Sequence, residues 1–103
     1  SAVEPTDTLA IPFDEAHWGA ASASERIGMA KSLVASRTWA GRTRPQISQM
    51  LGPGVASGNA GSREWFLGER RSSASLMFNY REFLVVGFDE DGKATTARID
   101  SRD

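Results

Sequence analysis

The chain has 103 residues, 40% of them apolar, a formal charge of −1 and no cysteine. That allows one domain with a single modest core, and it excludes disulfides, thiol catalysis and cysteine-based zinc sites. No run approaches the ~20 apolar residues of a membrane-spanning helix.

The charge is unevenly spread. Residues 1–21 carry Glu4, Asp7, Asp14 and Glu15 and no Lys or Arg. Residues 22–60 carry Arg26, Lys31, Arg37, Arg42 and Arg44 against Glu25, and the remainder is nearly balanced. An acidic arm ahead of a basic helical segment either folds back on it or faces a different partner. Solvated faces are the simpler account.

Residues 1–8 form a polar lead-in interrupted by Pro5. Leu9, Ile11 and Phe13 alternate, and Pro12 limits them to an extended or edge segment. The only His, His17, stands beside Asp14, Glu15 and Trp18. Residues 1–21 are thus expected to be an acidic extended arm, and 22–103 a single domain. From Ser22 a capping box, Ser22-x-x-Glu25, starts a helix running to about Ser36. Its apolar stripe is Ile27, Met29, Ala30, Leu33 and Val34. Gly28 weakens it by up to ~1 kcal/mol relative to Ala, which close packing would justify.

A short connection, Arg37 to Ala40, leads to a second helix between Gly41 and Pro53. Thr43 and Gln46 make another capping box, and Pro45 occupies the first turn, where a missing N–H is harmless. Ile47, Met50 and Leu51 give a narrow apolar face. Gly52 is expected to supply a left-handed C-terminal cap, and Pro53 to block continuation. So short a helix is stable only when its apolar side rests on something else.

Residues 54–62 are small and glycine-rich and read as a loop. Strand candidates follow at Glu64 to Leu67, ended by Gly68, and at Glu82 to Phe88, rich in β-branched and aromatic residues. A third spans Lys93 to Ile99, joined to the second by a hairpin loop ending at Gly92. Ser75 to Tyr80 either extends the second strand backwards or forms a separate short one. Helices followed by strands argue an α+β fold, with two N-terminal helices on one face of a three- or four-stranded antiparallel sheet. The expected core includes Met29, Leu33, Ile47, Leu51, Leu84, Val86 and Phe88.

Gly41, Thr43, Ile47, Leu51 and Gly52, then Trp65-Phe66-Leu67, then Leu84 to Asp89 with Gly92 and Lys93, form a pattern that resembles the SmpA/OmlA family of small outer-membrane lipoproteins. Arg26, Met29 and Leu33 ahead of it resemble an uncharacterised branch with the same domain. The resemblance covers about residues 26–100. The family often carries proline where Gly54 stands, or one residue earlier as Pro53 does here, and no lipobox cysteine is among these residues. The resemblance implies the same two-helix, three-strand layering, which β-lactamase inhibitor proteins share. It also implies a periplasmic or outer-membrane location and a role as an envelope scaffold or protein-binding module supporting outer-membrane assembly. The implied partners are another envelope protein and anionic lipid. The alternative is a secreted or periplasmic inhibitor or ligand-sensing module using the same sheet surface.

No catalytic, cofactor or metal site is expected. Asp14, Glu15 and His17 have suitable chemistry for a metal, but three ligands from one four-residue segment seldom converge on one ion. Asp89, Glu90 and Asp91 lack the spacing of a calcium loop. No Gly-x-Ser-x-Gly elbow accompanies His17. Arg70 and Arg71 with Trp65, Phe66 and Tyr80 have the residue types of a single-strand nucleic-acid surface, and the slightly acidic balance argues against it. These same residues with Phe83 are the candidate partner-binding surface, because aromatic and Arg side chains carry interface energy. Trp65 and Phe66 must point to opposite faces of their strand, so at most one of them enters the core. The competing reading has the acidic arm, through Phe13 and Trp18, covering the other.

Overall fold

The computed structural model describes residues 10–57, 61–71 and 79–102, with residues 70, 71, 79 and 80 described by their backbone alone. The elements are α1 (Glu15–Trp18), α2 (Ala23–Ser36), α3 (Arg44–Leu51), β1 (Val55–Ala56), β2 (Ser62–Arg71), β3 (Asn79–Phe88) and β4 (Ala94–Arg102). The strands form one antiparallel meander in the order β1-β2-β3-β4. The α+β architecture with a four-stranded antiparallel sheet is therefore the expected one, with one more short helix, α1, ahead of the two expected.

Both capping boxes form. The Ser22 hydroxyl accepts from the Glu25 N–H while the Glu25 carboxylate accepts from the Ser22 N–H. Thr43 and Gln46 repeat the arrangement at α3, with Pro45 in the first turn. Gly52 ends α3 at φ 94°, ψ 179°, a positive φ as expected but not the left-handed helical cap. The C-terminus of α2 has no glycine; Arg37 itself takes the left-handed conformation at φ 60°.

The core lies between the helices and one sheet face. Ile27, Met29, Leu33, Ile47, Leu84 and Val86 are essentially inaccessible, and Leu51 and Leu67 are nearly so. Phe88 departs from expectation. A register shift between Gly87 and Phe88 leaves its ring only half-buried at the margin, with the Arg44 guanidinium 5.2 Å above it.

α2 lies across the sheet against β2 and β4, and α3 adds Ile47 and Leu51 to the core and is tied down at both ends. At the N-terminus, the Arg44 N–H donates to the Gly92 carbonyl and Thr43 bridges to Lys93. At the C-terminus, the Trp18 indole donates to the Leu51 carbonyl and the Trp65 indole to the Gly52 carbonyl. Two aromatic donors thus satisfy carbonyls that the helix end would otherwise leave unpaired.

Three further features differ from the sequence reading. Gly68 does not end its strand: β2 runs on to Arg71, and the glycine sits at a bulge where α2 comes so close that a Cβ would lie 2.3 Å from that of Ala23. A glycine inside a strand marks such a bulge or a close approach. Val55 and Ala56, placed in the loop for want of side chains, pair with Glu64 and Arg63 as β1. The described part of the arm is not simply extended. Asp14 caps one helical turn, the Ile11 N–H donates to the Gly28 carbonyl, and Trp18 joins the core. Of Ser75 to Tyr80, Asn79 and Tyr80 extend β3 backwards and the rest lie outside the described residues.

Candidate functional surface on the outer sheet face

Strand alternation sends Trp65, Leu84 and Val86 to the helices and Phe66, Phe83 and Val85 to the other face. Trp65 is 5% exposed and its indole N–H is used internally, so it is removed from the candidate contact surface. Phe66 is its counterpart on the outside, 46% exposed, with its ring 5.6 Å from that of Phe83. β1 adds Val55 beside it, 58% exposed. Arg70, Arg71 and Tyr80 belong to β2 and β3, with Arg70 opposite Tyr80 and Arg71 opposite Asn79. Their side chains lie outside the described part of the structure.

The aromatic pair rests on a charged network. Arg102 of β4 crosses over the Phe83 ring, its guanidinium carbon 4.4 Å from the centroid. It then donates to both oxygens of Glu64, at 2.8 and 3.0 Å, while its Nε donates to Asp100 at 3.0 Å. Both carboxylates hold the guanidinium above its ordinary pKa. Glu64 is the one polar side chain buried among the described residues. A bidentate partner is what makes that burial tolerable, since an unpaired carboxylate there would lose its hydration without compensation. The planar cation also stacks on the ring, an interaction a flexible ammonium makes less well.

Sequence reasoning missed this network because Glu64 and Arg102 are 38 residues apart. Alternation in β2 and β4 could have assigned them to one face only with the register already known.

Arg26 is a second residue whose role was not anticipated. Its Nε donates to the Trp18 carbonyl, one terminal nitrogen to Gly19 and the other to the Phe66 carbonyl at 3.3 Å. It thereby fastens the arm to the exposed side of β2. A cavity of about 290 Å³ beside it is lined by Trp18, Arg26, Val55 and Phe66, among others. The described arm does not lie over the outer face. Phe13 packs on Trp18, which turns inward, and Phe66 stays accessible.

Asp14 and His17 of the arm have separate tasks. The Asp14 carboxylate accepts from the Ala16 N–H, and His17 Nε2 lies 3.1 Å from Glu25. The Ser22 backbone N–H, and then His17, hold Glu25 below the usual carboxylate pKa. Among the described residues, no three His, Asp or Glu side chains group in a way that would hold a metal ion. At the hairpin tip, Asp89 accepts from the N–H groups of Asp91 and Lys93, closing the turn that ends at Gly92.

Comparison with protein-family models, with curated proteins and with solved structures gives no match for this chain.

Proposed function

We propose that this chain is a non-enzymatic protein-binding module of the SmpA/OmlA type, an envelope scaffold in the periplasm or at the outer membrane that supports outer-membrane assembly. The observation that carries the reading is the outer sheet face, where exposed Phe66 is paired with Phe83 and braced by Arg102 on a buried Glu64. An exposed aromatic beside polar groups that are already satisfied has the composition of an interface centre, where aromatic side chains carry much of the binding energy. The partner under this reading is another envelope protein that lays an apolar side chain against Phe66 and Val55.

A photo-crosslinking amino acid at position 66 tests it, with the same substitution at exposed Gln49 on α3 as the control. One discrete envelope-protein adduct from position 66, absent from position 49, is the expected result. Equal labelling at both positions, or none at 66, removes the proposal. An adduct with a single soluble enzyme would move the reading to an inhibitor.

A further inference from the structure

The two edges of the sheet are treated differently. On the β2 side, β1 pairs with Glu64 and Arg63, and Arg26 occupies the Phe66 carbonyl. That edge is blunted, as edges exposed to other chains usually are. On the β4 side, cover stops early. The Ala94 N–H donates to Arg42 and its carbonyl accepts from Gly41, and beyond that point no described backbone pairs with β4 on its outer side.

The backbone groups on this open stretch can be assigned. The carbonyls of Ser62 and Phe66 point away from β3, toward Ser57 and Arg26. Antiparallel alternation then makes Trp65 with Leu84, Val85 with Arg98, and Phe83 with Asp100 the hydrogen-bonded pairs. Ala97, Ile99 and Ser101 are left with their N–H and C=O groups directed at the open edge. The segment has no proline, no lysine and no charge on the helix-facing side, where Ala97 and Ile99 lie half-buried. Its charges stand on the outer face and alternate in sign: Arg98, Asp100, Arg102.

We infer that this edge is an isologous docking surface for a second copy of the chain, with β4 pairing antiparallel to β4 about Ile99. The register follows from two independent requirements. Hydrogen bonding demands that Ala97, Ile99 and Ser101 face one another, which a two-fold axis at Ile99 achieves, with Ala97 against Ser101 on either side. The same register sets Arg98 of each copy opposite Asp100 of the other, in the non-hydrogen-bonded positions where side chains approach most closely. Centring on Arg98 or on Asp100 instead sets like charges against each other. Centring further along runs into the stretch covered by Gly41 and Arg42, or off the end of the strand. Arg98 is exposed and its side chain has no described hydrogen bond or ion pair within its own chain, so it is available for this pairing. A hollow lined by Val34, Ala35, Trp39 and Ala97 together with Arg37, Thr95 and Thr96 lies beside this stretch. The product is a continuous eight-stranded sheet.

Sedimentation equilibrium of the full 11.1 kDa chain tests the inference. The unsubstituted chain is expected to form a concentration-dependent dimer. Arg98→Asp, which opposes two carboxylates across each half of the interface, should weaken it by about tenfold at unchanged melting temperature. Combining Arg98→Asp with Asp100→Arg should restore the affinity to within about threefold, since opposite charges face each other again. Because Asp100 also contacts Arg102, amide exchange supplies an independent reading. The Ile99 amide should gain protection with concentration while those of Arg98 and Asp100, bonded to β3, stay constant. A monomer at every concentration, or a dimer unmoved by Arg98→Asp, overturns the inference. Phe66→Ala should leave the dimer intact, so its failure and that of the scaffold reading are distinguishable.

Discussion

At the scale of single residues, Arg102 shows how one side chain can set the character of a surface. It neutralises Glu64, stacks on Phe83 and is itself held by Asp100. Arg102→Ala is expected to destabilise the chain more than Arg102→Ala combined with Glu64→Leu, because the double variant leaves no buried carboxylate unpaired. Thermal melts of both variants check this, and an equal loss would show that stacking rather than charge dominates. Glu25 gives a pH signature. Its folded-state pKa lies below the ordinary 4.5. The stability it adds is therefore complete above that value and is lost as pH falls through the depressed one. As pH falls through and below 4.5, the unsubstituted chain should lose more stability than Glu25→Gln, which has no proton to bind. Leu84 tests the buried side of the sheet: Leu84→Ala should cost about 2–5 kcal/mol by chemical denaturation.

At the scale of elements, the helices were legible because their signals are local. A capping box spans four residues, and both boxes formed where Ser22 and Thr43 stand. Thr43→Ala is expected to cost about 0.5–2 kcal/mol, and it should loosen the link between α3 and Lys93 as well. The strands were legible by composition but not by extent. Gly68 looked like a terminator because sequence cannot show Ala23 approaching from another element. Gly68→Ala must push the first turn of α2 off β2 and should destabilise the chain even though it adds only one methyl group. A melting temperature unchanged by that substitution would refute the contact. β1 escaped notice for the opposite reason: Val55 and Ala56 carry no pattern and pair only because β2 lies beside them. Of the candidate surface, alternation separated Trp65 from Phe66. Which of them faced inward depended on where α2 and α3 rest.

At the scale of the whole molecule, the described arm belongs to the same packed unit as the rest. Trp18 is 4% exposed, donates to the end of α3 and supplies the carbonyl that anchors Arg26. The acidic residues around it gave no hint of this, because the signal is one aromatic whose contacts lie far along the chain. Trp18→Ala should cost about 3–5 kcal/mol, comparable to truncating a large core side chain in the sheet. Denaturant unfolding with a single transition would show that residues near Trp18 and the sheet come apart together.

The three tryptophans are placed so that between them they watch two different events. Each indole N–H is bonded to a carbonyl: Trp18 to Leu51, Trp65 to Gly52 and Trp39 to Val34. In a proton–nitrogen correlation spectrum they would give three separate side-chain signals without any label beyond nitrogen-15. Trp18 and Trp65 border the cavity beside Phe66, so a ligand settling on that side should move those two peaks. Trp39 borders the hollow by β4, so self-association should move that peak alone. One titration with added partner and one simple dilution series would then resolve the two kinds of encounter by which resonances respond.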